Sequence, residues 1–281
     1  MYRLLALEFF VILFLISILA GAVGSIVGLG GGVIVIPILT IGLGVDIHFA
    51  IGASIVSIIA TSSGAAATYV KDRITNLRVG MFLELATTVG AIVGAALAAY
   101  TNSMLLELIF GTVLLISLVP LVMKIGEDIP AIPELQGLAK KLSLKGSYRE
   151  VDNSEVKYNA TRPGLGLVGM VVAGLISGLL GIGSGTFKVL SMDLAMKLPM
   201  KVSTTTSNFM IGVTAAASAG IYFARGDVDP MIVGPVALGI LVGASVGTRL
   251  LLRAKNPTVR KLFAVVLAVT AIEMVLRAFG I

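Results

Sequence analysis

The sequence predicts an all-α integral membrane protein built from two homologous helical repeats, each with a Gly-rich broken or re-entrant helix pair and about three transmembrane helices. Three observations predict it. The 281 residues are 57% hydrophobic and only 13% charged, where a soluble domain carries about 25% charged residues. The charge is confined to short stretches, and several apolar runs between them exceed the roughly 18 residues of a membrane-crossing helix. The second half of the chain also repeats the first at a fixed offset. Absent residue types narrow the chemistry. Without Cys, disulfides, thiolate metal sites and cysteine nucleophiles are excluded. One His cannot build a polyhistidine metal site, and without Trp an interfacial aromatic belt rests on Tyr and Phe. The net charge of +6 fits Lys and Arg kept on the cytoplasmic side of a membrane better than a nucleic-acid surface.

In chain order the apolar runs are 4–27, 33–43, 50–70, 79–100, 104–123, 164–181, 187–198, 202–224, 231–252 and 258–279. The first follows Arg3 and includes Ala20-Gly21-Ala22, the outline of a cleavable signal peptide. Its match to a stretch deep in the chain argues that it is retained. Residues 124–162 form the longest polar stretch, with seven Lys/Arg, six Asp/Glu, Pro130 and Pro133, and read as a cytoplasmic linker. Within it Leu135, Leu138 and Leu142 fall at i, i+3 and i+7 beside Lys140, Lys141 and Lys145. That pattern fits a short amphipathic helix on the membrane surface or a solvated segment. The Asn159-Ala160-Thr161 sequon matters only outside the cell and is expected inside. His48 reads as a loop residue.

The offset is 153 residues. Gly21, Gly28, Gly30 and Gly32 fall on Gly174, Gly181, Gly183 and Gly185. Ser54 falls on Ser207, Thr61 on Thr214 and Tyr69 on Tyr222. Glycine matches alone mean little in a chain with 33 glycines; the hydroxyl and Tyr matches in the same register carry the repeat. The expected division is 1–123, a linker 124–162, and 163–281. If the Gly-rich break only kinks one span, each repeat crosses four times and the copies are parallel. The cluster Arg249, Arg253, Lys255, Arg260 and Lys261 then lies on the wrong side. If the break turns a re-entrant hairpin, each repeat crosses three times and the copies are inverted. One face then collects 17 Lys/Arg and the other only Arg3, Arg225 and Arg277. The inverted arrangement obeys the positive-inside rule, with both termini outside. The run 4–27 resists this reading, because about 36 Å of helix can span alone.

Three features could carry chemistry. Gly28-Leu29-Gly30-Gly31-Gly32 and Gly181-Ile182-Gly183-Ser184-Gly185 each precede a short apolar run. Gly-rich backbone can leave the helix. The half-helix after it presents unpaired N–H groups and a positive dipole end to an anion, and paired breaks in matching halves point to a transporter's substrate site. Close helix packing is the plainer reading of small residues, and it suits Gly90, Gly94, Gly243 and Gly247. Lys188 lies three residues after Gly185 in apolar surroundings, where an ionisable group is a functional candidate. Its alternatives are snorkelling to the cytoplasmic face or pairing with Asp193. The first repeat has Val35 at the matching position, so the site is expected to be asymmetric in charge. Hydroxyl and amide groups on 203–208 and 54–63 can donate to an oxyanion or bond between helices. Ser54, Ser207 and Asn208 are the best contact candidates. The candidate substrate set is therefore Gly30, Gly31, Gly32, Ser54, Gly183, Ser184, Gly185, Lys188, Ser207 and Asn208. Glu84, Glu107 and Glu273 are expected near interfaces, with Glu84 and Asp193 the candidates for a coupling proton.

At 28–37, 181–189 and 204–230 the chain resembles the TauE/SafE family of membrane permeases, also called the sulfite exporter family. The resemblance rests on the paired Gly-rich motifs, on Ala50-Ile51-Gly52-Ala53-Ser54 and Ser203-Thr204-Thr205-Thr206-Ser207, and on Arg225-Gly226-Asp227-Val228-Asp229. Ser184 interrupts the second Gly run, Leu190 replaces the Pro matching Pro37, and Ser203 replaces an expected Ala. The resemblance implies transport of sulfite, organosulfonates or related sulfur anions. The leading expectation is a secondary transporter for a small anion, with a proton or sodium as possible coupling ion, no cofactor, and the lipid bilayer as surroundings. An anion channel and a non-transporting membrane subunit or receptor are the alternatives. The oligomeric state is left open, and no catalytic constellation supports an enzyme.

Overall fold

The computed structural model describes residues 2–27, 31–71, 75–122, 134–135, 137–149, 155–251 and 256–279. The apolar runs fold into helices, because in a bilayer every backbone N–H and C=O must be paired within the segment. Helix α1 covers Tyr2–Val27. A short α2, Gly32–Pro37, runs into one wide π turn at Ile38–Gly42. Then come α3 (Ile47–Lys71), α4 (Leu77–Ala98) and α5 (Ser103–Val122). After the linker the order returns: α7 (Pro163–Leu180), a short α8 (Gly185–Leu190) with a wide turn at Ser191–Ala195, α9 (Met200–Arg225), α10 (Pro230–Leu251) and α11 (Asn256–Ala278). The elements that begin at 32, 38 and 77 begin again at 185, 191 and 230, each 153 residues later. Pro37 lies in the first short helix and Leu190 in the second, yet both continue into a wide turn. The missing proline N–H is therefore not what opens it.

Among the described residues, α4, α7 and α9 are long and apolar enough to cross a membrane, and shorter apolar helices surround them. The outward faces are apolar as well: Leu85, Val89, Val168, Val172 and Leu238 are all exposed, as lipid contact requires. Lipid tails are as apolar as leucine, so the helices associate by close approach. On α4 and α7, Gly90 lies against Val171, Gly94 against Leu175 and Gly178 against Ala91. On α1 and α10, Gly239 lies against Phe14, Gly243 against Ile18 and Gly21 against Ile240. Both pairs run parallel. A Cβ on any of these glycines would strike the partner backbone. Gly90, Gly94 and Gly243 are packing residues as expected, and Gly21 and Gly174, at the head of the Gly-rich runs, prove to be packing residues too.

The centre is built differently. Gly52 of α3 meets Asp227 just past α9, and Ser62 meets Gly212, so α3 and α9 run antiparallel. Gly111 meets Ala271 and Val275, and Glu107 pairs with Arg277 at 3.0 Å, so α5 and α11 also run antiparallel. The Arg277 guanidinium also donates to the Thr40 carbonyl in the first wide turn.

The linker departs from the all-α expectation. It contains a five-residue helix, α6 (Gly137–Lys141), and an antiparallel hairpin, β1 (Lys145–Arg149) with β2 (Glu155–Asn159), in which Tyr148 faces Val156. The cause is a two-residue alternation. Leu144, Tyr148, Tyr158 and Ala160 point inward and are buried, whereas Lys145, Ser147 and Lys157 point out. The inward set closes a second core with Leu83, Met170, Met192, Met196 and Met210. Leu138 and Leu142 are exposed, while Leu135 packs on this core. His48, expected in a loop, lies in the first turn of α3, 2.8 Å from Asp46.

Asn76 ties the hairpin to the helices. It caps α4 by accepting from Val79 N–H (3.0 Å), donates from its side chain to Tyr158 Oη (2.9 Å), and donates its backbone N–H to Thr206 Oγ1 (3.1 Å). Burial pushes the Tyr158 phenol pKa up against the lowering effect of that Asn76 bond.

Candidate functional site

Both short helices follow a break in left-handed backbone. Gly31 caps α2 at φ 79°. Gly181, Gly183 and Ser184 precede α8 at 64°, 73° and 44°. Glycine takes this conformation freely, but a serine pays about 1–2 kcal/mol for it. Ser184 offsets the cost with a hydrogen bond from Oγ to the Ala173 carbonyl at 2.5 Å. The serine that interrupts the second Gly run therefore fastens the break to α7. Gly30 lies outside the described residues.

The two breaks touch. A Cβ on Gly32 would strike Ser54 Oγ and lie against the Gly181 carbonyl. Ser54 donates to that carbonyl at 2.6 Å, and Ser207 donates to the Gly185 carbonyl at 3.2 Å. The two hydroxyls matched by the 153-residue register thus brace the second break by its carbonyl oxygens. Asn208 is half-buried beside Ser207. The N–H groups of Gly185, Thr186 and Phe187 come before the first intrahelical bond of α8 and have no partner within it. They border a recess of only about 10 Å³, lined also by Val33, Ile182 and Leu267. A wider cleft of about 710 Å³ opens at the hairpin, between Arg78, Lys145 and Lys157.

Lys188 is fully buried. Its Nζ donates to Thr214 Oγ1 on α9 at 2.5 Å, and Thr214 in turn lies 2.7 Å from Glu84 Oε1 on α4. This bears on the two alternatives weighed for Lys188 and on the place expected for Glu84. Lys188 neither snorkels nor pairs with Asp193, whose cationic neighbour is Lys197. Glu84, expected near an interface, is buried within the protein and reaches the lysine through Thr214, because each buried charge without the other would be costly. Glu107 is buried with Arg277, and Glu273 is exposed. Thr214 and Glu84 are missing from the set read off the sequence. The available signal was an acid and a lysine, each alone in an apolar run, together with the Thr61–Thr214 match.

The profile of the sulfite exporter TauE/SafE family matches residues 13–274, which include both breaks, Glu84, Lys188 and Thr214. The chain belongs to the sulfite exporter TauE/SafE family. It is an integral membrane transporter protein. Similar proteins include the probable membrane transporter protein YunE of Bacillus subtilis, 25% identical over 95% of this chain and 97% of its own length. A second from Bacillus subtilis, the probable membrane transporter protein YdhB, is 25% identical over 85% of this chain and 89% of its own. A probable membrane transporter protein of Xylella fastidiosa is 25% identical over 92% and 94%. No solved structure matches the chain.

Proposed function

We propose that this transporter is a secondary permease for a small sulfur oxyanion, such as sulfite or an organosulfonate, bound between the two breaks and Lys188. The observation that carries the reading is a lysine buried completely, one helical turn beyond a Gly-rich break. A buried cation on the short helix that follows a Gly-rich break is suited to an anion. The family's name supplies the sulfur chemistry. Gly31, Gly183 and Ser184 supply irregular backbone around the anion and Gly32 and Gly185 the first residues of the two short helices, Gly30 belongs to the same proposed set, and Ser54, Ser207 and Asn208 supply polar surroundings.

The repeats are 1–123 and 163–281, and they are inverted. Support comes from the matched helices, since α3 and α9, like α5 and α11, run antiparallel. Copies related by an axis along the membrane normal would set them parallel. The hairpin end carries Arg78, Lys145, Lys157, Lys197 and Lys201, and the opposite end Arg225 and Arg277. The linker is then cytoplasmic and both termini are outside.

Counterflow in proteoliposomes, with a panel of sulfite, thiosulfate, sulfate and short sulfonates, tests the substrate. Exchange of a sulfur anion is expected that Lys188→Ala abolishes when compared at equal amounts of folded, reconstituted protein; near-normal exchange in that variant removes Lys188 from the site. Flux without any accumulation against a gradient would make the protein a channel. The chain lacks cysteine, so single cysteines at Ser147 and Ser103 report the sides. An impermeant maleimide should label Ser103→Cys in intact cells and Ser147→Cys only after lysis.

A further inference from the structure

We propose that Glu84 is a displaceable counter-ion. Through Thr214 it holds Lys188 while the site is empty, and it takes up a proton when the transported anion takes its place, so that each anion travels with one proton. This rests on the reading of Lys188 as the anion's partner. Thr214 is the joint. Its hydroxyl has one hydrogen and two acceptors within reach, Glu84 Oε1 at 2.7 Å and the Met210 carbonyl at 2.9 Å, while it accepts from Lys188 at 2.5 Å. It can donate to only one of them at a time. Glu84 Oε1 also lies 3.3 Å from Thr88 Oγ1. Glu84 Oε2 is buried and has no hydrogen-bond partner among the described residues. A carboxylate with one oxygen satisfied and the other bare is held loosely, and the bare oxygen is where a proton can add.

Among the described residues no other charge competes, since Asp193, on the wide turn after α8, has Lys197 as its cationic neighbour. Helix α7 carries no charged side chain at all, and the charged residues of α9, Lys201 and Arg225, stand near its two ends. Lys188 is the only cation that α8 brings. The empty site then holds Lys188⁺ and Glu84⁻ and is neutral. The loaded site holds Lys188⁺, a monovalent anion and protonated Glu84, and is neutral again. The proton comes from water on the entry side, adds to Glu84 Oε2, and leaves to water on the exit side as the carboxylate returns to Thr214. A divalent anion would leave an uncompensated charge in a medium of low dielectric, where such charges are costly. The site therefore selects singly charged anions, sulfonates and hydrogen sulfite, over sulfate.

The test uses the full chain in proteoliposomes with a trapped pH indicator, and methanesulfonate as probe. Methanesulfonate is the anion of a strong acid and carries no proton across the bilayer by itself. The wild type should acidify the lumen in step with uptake, one proton per anion, and take up sulfate at least tenfold more slowly. Glu84→Gln should lower that ratio to zero, and an imposed proton gradient should no longer drive accumulation. Glu84→Asp, which keeps the titrating group, should restore the ratio at a reduced rate. Lumen acidification matched to uptake in Glu84→Gln, or wild-type uptake with no pH change, overturns the proposal. A wild type that exchanges none of the sulfur anions overturns the proposed function instead, so the two failures are distinguishable.

Discussion

At the scale of single residues, Lys188 and Glu84 can be separated by thermodynamics as well as by transport. Removing one partner of a buried charge pair costs about 3–5 kcal/mol, whereas replacing both with neutral groups of similar volume is near neutral or stabilising. Lys188→Met should therefore lower thermal stability in detergent sharply, and adding Glu84→Gln should recover most of the loss without restoring transport. Equal stabilities of the single and double variants would show that the pair is not coupled. A second prediction concerns Asp46. Burial alone would raise its carboxyl pKa, but hydrogen bonds from the His48 backbone and ring and from Ser103 outweigh it and hold the value below the ordinary 3.8. A lowered folded pKa stabilises above the unfolded pKa, and that stability disappears as pH falls through the folded value. Asp46→Asn should thus be less stable than wild type near neutral pH, and the difference should close below about pH 3.8. A gap unchanged from neutral to acid pH would contradict it. Lys188 was legible in the sequence because a lysine amid apolar residues is conspicuous on its own. Its true partner was not, because Glu84 lies in the other half of the chain and only the α4–α8–α9 packing brings it near.

At the scale of elements, the glycines divide by what surrounds them. Gly94→Ala drives a Cβ into the Leu175 backbone. It should separate α4 from α7 and cost on the order of 1–3 kcal/mol, as overpacking does. Gly220, on α9, has nothing within 4 Å, so Gly220→Ala should be neutral or stabilise by up to about 1 kcal/mol through helix propensity. Melting temperatures of the two variants check the contrast, and a shift of the same sign in both would refute it. Asn76→Ala removes a helix cap worth about 1 kcal/mol. It also releases Tyr158, so hydrogen exchange in 145–159 should quicken while exchange in α10 does not change. The helices were legible because uninterrupted apolar runs allow nothing else in a bilayer. The breaks were legible because glycine runs are. The hairpin was not, because its alternation spans only a few residues on each side of a polar gap, and leucines at helical spacing stand just before it.

At the scale of the whole molecule, the halves are not neighbours but interlaced. Helix α1 packs on α10, and α7 packs on α4. Residues 1–133 or 134–281 expressed alone should be degraded, and the two expressed together should restore transporter. A stable half on its own would contradict this. The 153-residue register was legible from hydroxyl matches, but the exchange of partners was not, since periodicity reports likeness and not contact. The interlacing also imposes an order on synthesis. About 200 residues separate the end of α1 from the start of α10. At roughly 5–20 residues per second that is on the order of 10–40 s. For that interval the glycine face of the first helix made has no protein to rest on. The newborn chain must be sheltered by the insertion machinery or by lipid until its last third arrives, so the quality of this transporter is decided late, when α10 closes over a helix that has been waiting since the beginning.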